Sequence, residues 1–545
     1  MHPKQKSIAL ERNNAEELYG VIAMWLGFCR FLRACMRRLF ARETIFCVLG
    51  LLPGSIFVMA RLPPLWRDYD GLGQLTSPPG NMTLLGFPAL YPFLSRLPIL
   101  LVSAWNNAGH LHSLQLGINR WVALNDGGLL LLVAGQQLAL LFALALLTVG
   151  CARRPILRCL IVVVFLCNPL LFVGAQLISS EALASILLIL LIAIAIELSR
   201  RQELSRNGII ALGVCLYANV MTRHLNLIYA ALVPVAYLLG ASTHIRKSGE
   251  ARTYFKKFVA TSAVGLVAIV AANLTTRTLC VIFREPYRLT VARTAIAQLD
   301  LIDQLPDIDR ANYLRRLQAD ASDPITKEAI PAILAAKGYW GHSMRELERL
   351  IQSHGEKLTG KKLVARADHY LAEICILYYH SLPPIAVSKI RDTIIRSLTS
   401  TTPIEVLQYF YRDAADYSLK VFRSNSFLHQ RTAHLTSCSP VAGAAIKRAE
   451  TTFWLRGLDK IPCGITLILV LGLGTILRLF NRFDPNMLSV LYALAITNVL
   501  LMIGTFVLTP YLPRFVLPSC VINAAAVAIL LGSITRPSHR PQQAF

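Results

Sequence analysis

Apolar residues gather into about ten runs of roughly 20 residues, the length that carries a helix across the hydrocarbon core at a rise of about 1.5 Å per residue. They lie near 44–60, 129–149, 156–174, 182–197, 208–222, 225–240, 258–276, 461–478, 487–508 and 515–532. The stretch 17–40 has another pattern. Its Leu18, Ile22, Trp25, Leu26 and Leu32 alternate with Arg and Glu at helical spacing, which predicts an amphipathic helix on the cytoplasmic face. Leu84–Trp105 is nearly long enough to span, but Pro88, Pro92, Arg96 and Pro98 interrupt it, so it reads as re-entrant or interfacial. Between the seventh and eighth runs lie 184 residues, 277–460, with ordinary soluble composition. Their apolar positions recur with helical period, as in Leu363, Ala367, Tyr370, Leu371 and Ile374; Pro383–Pro384 and Pro403 divide them, and β-type alternation is scarce. The pattern predicts an all-α polytopic membrane protein, with a helical extracytoplasmic domain between spans seven and eight.

Composition excludes the soluble alternative. Of 545 residues, 54% are hydrophobic and 16% charged, against roughly 25% charged in globular chains. The net charge of +24 suits cytoplasmic loops and anionic lipid surfaces, so nucleic acid is not an expected partner. With the N-terminus inside, 23 Lys and Arg fall on inner segments and six (Arg61, Arg67, Arg96, Arg120, Arg223 and Arg514) on outer ones, leaving 26 in 277–460. One span more or fewer before residue 277 would spoil that split. The domains expected are a cytoplasmic amphipathic segment 1–43, a membrane core 44–276 with a first outer loop 61–128, the domain 277–460, three spans in 461–532 and a cytoplasmic tail 533–545. The first apolar stretch follows a long polar run and is interrupted by arginines, so it is not expected to be a cleaved signal. The twelve cysteines include no CxxC and no zinc-like spacing.

Four acidic residues outside 277–460 fall on the outer side: Asp68, Asp70, Asp126 and Glu181. Carboxylates near hydrocarbon are costly, about 2.5–3.5 kcal/mol at a helix centre, and tend to line wet cavities. Asp68 and Asp70 stand in Trp66-Arg67-Asp68-Tyr69-Asp70-Gly71. In an extended segment their side chains point the same way, so they can share a cation or act as base and positioner. The alternative is a polar turn closed by Asp-Gly. Glu181, after Ser179-Ser180, opens the fourth span, where a carboxylate also suits the helix dipole. Arg223, His224 and Arg514 run against the inside bias. Guanidinium groups there need an anion, either a phosphate or one of the four carboxylates. His110 and His112 read as structural.

These features resemble the GT-C superfamily of membrane glycosyltransferases, which use polyprenyl-phosphate-linked sugars. A modified DxD, Asp68-Tyr69-Asp70, lies in the first outer loop. A second acid, Glu181, lies in "NPLLFVGAQLISSEALA". A "TRHLNL" turn joins spans five and six, and "YLPRFVLP" resembles the "R-Y-x-L-P" near the family's last spans. The resemblance covers 44–276 best and 461–532 loosely. It implies a GT-C-like core and transfer of a sugar, with inversion, from a polyprenyl-phosphate donor to a glycan, lipid or protein acceptor. It places the active site on the extracytoplasmic face of a bacterial inner membrane. Asp68 or Asp70 would be the general base, with Asp68 preferred. Arg223 and Arg514, and His224 less strongly, would stabilise the leaving phosphate. Glu181 would hold sugar hydroxyls or a weakly bound divalent cation. The first motif lacks the adjacent Asp-Glu pair of mannosyltransferase-like members, so no tightly bound metal or other cofactor is expected. The rival classes are a transporter or lipid-linked-sugar flippase, and a non-catalytic assembly subunit. A transporter would normally show repeats and mid-membrane charges, and neither is obvious.

The orientation is testable directly. A cysteine probe at position 340 should be labelled from the outer face and probes at 248 and 539 should not; the reverse pattern overturns the site assignments.

Overall fold

The structure, a computed structural model, describes residues 33, 36–66, 75, 89–106, 124–201, 203–243, 248–282, 305–335, 340–423, 434–452, 461–508 and 513–534. Most of the amphipathic 17–40 segment lies outside them. Among the described residues, seven helices are long and apolar enough to cross a bilayer: Arg42–Arg61, Asp126–Cys151, Ser180–Arg200, His224–Ser242, Ala251–Ile282, Pro485–Val507 and Pro513–Gly532. The chain is thus an integral membrane protein. The other three apolar runs fall on shorter helices.

In chain order, α1 is Arg42–Arg61, β1 Leu65–Trp66, α2 Leu90–Asn106 and α3 Asp126–Cys151. Asn125 caps α3, its side chain accepting from Gly128 N–H at 2.6 Å. The run 156–174 is not one helix but two, α4 (Pro155–Leu166) and α5 (Pro169–Gly174). Pro169 has no N–H and disfavours helical backbone at Asn168, which sits at φ −112°, ψ 85°. β2 is Leu177–Ile178, α6 Ser180–Arg200 and α7 Arg206–Thr222. A 3₁₀ helix, His224–Ala231, runs into α8 (Leu232–Thr243), and α9 is Ser248–Ile282. At 35 residues, α9 is about 52 Å long, well beyond a hydrocarbon core of about 30 Å. Phe255, Val259, Leu266, Val270 and Leu274 form an exposed stripe along it, the pattern of a lipid-facing helix.

The stretch set apart by composition is helical where described: α10 (Asp307–Asp320), α11 (Pro324–Ala335), α12 (Trp340–Ser353), α13 (Gly360–His380), α14 (Pro384–Thr399), α15 (Pro403–Arg423) and α16 (Pro440–Thr452). Pro384 and Pro403 each open a helix, where a missing N–H costs nothing. These helices do not share one core. Leu317, Ile330, Leu347, Leu371, Ile374 and Tyr378 cluster among α10–α13. In contrast, Val406, Phe410, Tyr411 and Ala414 of α15 belong to the core of the membrane helices. That core also includes α17 (Cys463–Leu479), α18 (Pro485–Leu508) and α19 (Leu517–Gly532), the last preceded by a 3₁₀ turn, Pro513–Val516.

The two ends of the bundle differ in charge. Arg153, Arg154, Arg158, Arg200, Arg201 and Arg206 gather where α3 meets α4 and α6 meets α7. There the Arg200 guanidinium donates to the Cys151 carbonyl at 2.6 Å, and Lys257 Nζ donates to the Arg201 carbonyl at 2.8 Å. The opposite end carries the two strands and is called the strand end below.

At the strand end α14 and α17 meet at backbone contact. A Cβ on Gly464 would collide with the Leu398 carbonyl, and Cys463 N–H donates to the Thr401 carbonyl at 3.1 Å. Gly464→Ala should therefore lower stability by about 1–3 kcal/mol, the usual cost of overpacking where backbone must move. Thermal unfolding of purified protein in detergent checks this; an unchanged midpoint would show that the close approach is absent.

Candidate functional site

Two sequence-distant segments meet at the strand end. Leu65 pairs with Leu177 and Trp66 with Ile178, in parallel. Asp68 follows Trp66 by two residues, and Glu181 follows Ile178 by three. Asp68 and Asp70 themselves lie outside the described residues.

The pairing is held by buried glutamines. Gln176 N–H side-chain donation reaches the Leu62 carbonyl at 3.0 Å, while its own backbone carbonyl accepts from Leu65 N–H at 3.0 Å. Gln136 Nε2 donates to the carbonyls of Ala175 and Leu177 at 2.9 and 3.0 Å. Gln137 Nε2 donates to the Phe172 carbonyl at 2.8 Å and to Gln176 Oε1 at 3.2 Å, and its own Oε1 accepts from Ser55 Oγ at 2.6 Å. Ending α5 at Gly174 and α1 at Arg61 frees backbone carbonyls that hydrocarbon cannot solvate. The glutamines are what satisfies them. Gln136 is ten residues, about 15 Å, along α3 from Asp126, so the paired segments sit recessed below the α3 N-terminus.

A second layer closes over them. Trp66 Nε1 donates to Ser437 Oγ at 3.0 Å. Both Asp126 carboxylate oxygens accept from Thr436 N–H at 3.1 Å, and His434 Nε2 lies 2.9 Å from the Leu124 carbonyl. Asp126 is thus engaged in holding the 434–438 segment. α15 packs against β1, α5, α19 and the Pro513–Val516 turn.

Glu181 is in the first turn of α6 with its side chain 1% exposed. Ser179 is the cap position by its extended backbone but makes no side-chain capping bond. The carboxylate meets instead Arg223, Nη1 to Oε1 3.5 Å. Arg223 ends α7 in extended conformation, φ −150°, ψ 128°, its N–H donating to the Asn219 carbonyl at 3.0 Å. Asn226 Nδ2 donates to the same carbonyl at 3.2 Å and pins the turn. Of the two anions that could partner Arg223, the structure supplies a carboxylate. His224, half-buried, opens the 3₁₀ helix beside it. Arg514 stands in the Pro513–Val516 turn with its guanidinium 5.0 Å from the Phe515 ring centroid. Among the described residues its Nε has no hydrogen-bond partner and no acidic side chain pairs with it. Glu181 and Arg223 are therefore brought together, while Arg514 stands in a turn that packs against α15.

Residues the sequence reading passed over lie alongside. α2, read as a re-entrant or interfacial stretch, is a 17-residue helix containing Pro98. It packs on α3, α6 and α7, burying Tyr91, Ser95 and Arg96, the last at 5% exposure. A lone cation inside an apolar helix was a usable signal for Arg96. So was an adjacent Gln pair in the apolar 26-residue α3 for Gln136 and Gln137.

The arrangement defines a polytopic helical membrane protein with a buried carboxylate–guanidinium pair and hydrogen-bonded glutamines at one end of its bundle. No protein-family model matches the chain, and no curated protein does. Among solved structures it is similar to ArnT from Cupriavidus metallidurans in the apo state, at 10% identity over 85% of this chain and 78% of that one, with a TM-score of 0.29. An overlap that loose bears on neither the fold nor the site.

The Glu181–Arg223 contact makes its own prediction. Arg223→Ala leaves a buried carboxylate short of its cation, which typically costs about 3–5 kcal/mol. Adding Glu181→Gln should restore part of that loss. Detergent unfolding midpoints of the two single variants and the double test this; strictly additive losses would mean the two groups are not coupled.

Proposed function

We propose that this protein is a GT-C-like glycosyltransferase, moving a sugar from a polyprenyl-phosphate donor to a glycan, lipid or protein acceptor. One observation carries the reading: the parallel pairing of Leu65–Trp66 with Leu177–Ile178. The pairing joins the segment that precedes the first acidic motif to the segment that precedes Glu181. Such a junction of two acidic outer loops is what the sequence resemblance to GT-C enzymes calls for.

In this reading the strand end faces the extracytoplasmic side of a bacterial inner membrane, with both termini inside. 277–460 is then an extracytoplasmic domain, resting on the span core 44–276 and the last spans 461–532 through α15. Asp68, assisted by Asp70, takes the proton of the acceptor hydroxyl. The acceptor oxygen attacks the anomeric carbon, the carbon–oxygen bond to phosphate breaks, and the electron pair leaves on the lipid phosphate. Inversion follows from that single displacement. Ordinary carboxylates, with a reference pKa near 3.9, are ionised and competent at neutral pH. Glu181, in the first turn of α6 and beside Arg223, accepts hydrogen bonds from sugar hydroxyls in this reading. Because Arg223 is engaged with Glu181, Arg514 is the primary phosphate ligand and His224 an auxiliary one. Each well-placed donor to the departing charge is worth about 3–4 kcal/mol.

Asp68→Asn should lower transfer about 10²–10⁴-fold, the usual worth of a positioned base, at normal membrane level. Arg514→Ala should weaken handling of the donor, and Arg514→Lys should restore little, since a point charge does not reproduce the guanidinium fork. Glycan analysis of strains carrying each variant, with blots for protein level, reads both. Normal glycan in the Asp68→Asn strain moves the base to Asp70 or removes the transferase reading.

A further inference from the structure

Cys463 opens α17, and Cys520 lies in the first turn of α19. Their Sγ atoms stand 3.3 Å apart, and the residues are 1% and 3% exposed. The backbone around the pair is pinned. Cys463 N–H donates to the Thr401 carbonyl at 3.1 Å, and Asn523 Nδ2 donates to the Cys463 carbonyl at 2.7 Å. α17 and α19 pack against each other, and a Cβ on Gly464 has no room beside Leu398, so α17 lies at backbone contact with α14 at this point. A thiol is a weak donor and a weak acceptor, so two of them gain little by facing each other as thiols. Both lie at the strand end, the end assigned above to the extracytoplasmic side, where disulfides form and persist.

We propose that Cys463 and Cys520 are joined by a disulfide made as the chain folds. The inference rests on the sidedness proposed above and not on the transfer reaction. Each thiol gives up its hydrogen and one sulfur–sulfur bond forms. Two electrons and two protons pass, by thiol–disulfide exchange through a mixed disulfide, to the disulfide of an extracytoplasmic protein oxidase, which departs as a dithiol. Burial sets the timing. The oxidase must reach the first sulfur before α19 docks, and the docked helix then shields the bond. The cross-link bridges 57 positions of sequence and ties α17 to the helix whose preceding turn carries Arg514. That turn, six residues before Cys520, is thereby held against the bundle.

The test uses the full-length protein, expressed in its own membrane and purified in detergent without reductant. The protein is denatured in sodium dodecyl sulfate and its free thiols are blocked with N-ethylmaleimide. It is then reduced, labelled with iodoacetamide and read by peptide mass spectrometry. Cys463 and Cys520 should carry only the second label. An unreduced digest should contain their two peptides joined, about 2 Da lighter than the sum for the two hydrogens lost. Cys159, exposed near the opposite end, should carry the first label. Cys463→Ser should move Cys520 from the second label to the first. First label on both cysteines of the unaltered protein overturns the proposal. The readout contains no sugar transfer, so a joined pair in an inactive protein leaves the cross-link standing, and free thiols in an active one remove it without touching the transferase reading.

Discussion

Hydrocarbon does not solvate a peptide group, and the strand end of this protein is organised around that constraint. The chain leaves helix geometry at Asn168 and again between Ala175 and Ser179, well below the start of α3, and the carbonyls freed after α5 must be met from within. Gln136, Gln137 and Gln176 meet them, and Gln176 also binds the chain where it leaves α1. Interhelical hydrogen bonds of this kind contribute only about 0.6 kcal/mol each on average. Their larger effect is to fix one geometry, because any other would leave several polar groups buried without partners. The short parallel pairing of β1 with β2 follows from the same arrangement.

The charged groups depend on that frame. Glu181 is tolerable at 1% exposure because the α6 N-terminus and Arg223 both oppose its charge. Arg223 in turn can point at it because α7 ends there, with Asn219 and Asn226 holding the turn. The 434–438 segment and α15 close the strand end from above, through Trp66, Asp126 and the residues α15 adds to the membrane core. A soluble-looking stretch of sequence thus helps to build the strand end.

Much of this was legible in the chain, and the limits have physical causes. Long apolar helices announce themselves because a bilayer imposes a length. The break within 156–174 was written in Asn168–Pro169, yet apolar periodicity ran across it unchanged. α15 was invisible as part of the membrane core because its amphipathic pattern looks the same whether its apolar face meets soluble helices or membrane ones. β1 and β2 are two residues each, too short for alternation to register. Glu181 and Arg223 stood out singly as charges at span ends, but their mutual contact is tertiary, between α6 and the end of α7, and no spacing encodes it. Arg96 was read only as an interruption of its apolar run, and the Gln136–Gln137 pair was not read at all, though each carried a signal, a polar group in an apolar run.

In the proposed function the two acidic outer segments and the Arg514 turn surround one recess that holds a lipid-phosphate sugar. Cryo-electron microscopy of the full-length protein in nanodiscs, with a non-hydrolysable polyprenyl-phosphonate sugar analogue, tests it most directly. The phosphonate should lie against Arg514, and the sugar between Glu181 and the Asp68 carboxylate. Analogue density elsewhere, or Asp68 and Glu181 opening into separate cavities, would contradict it.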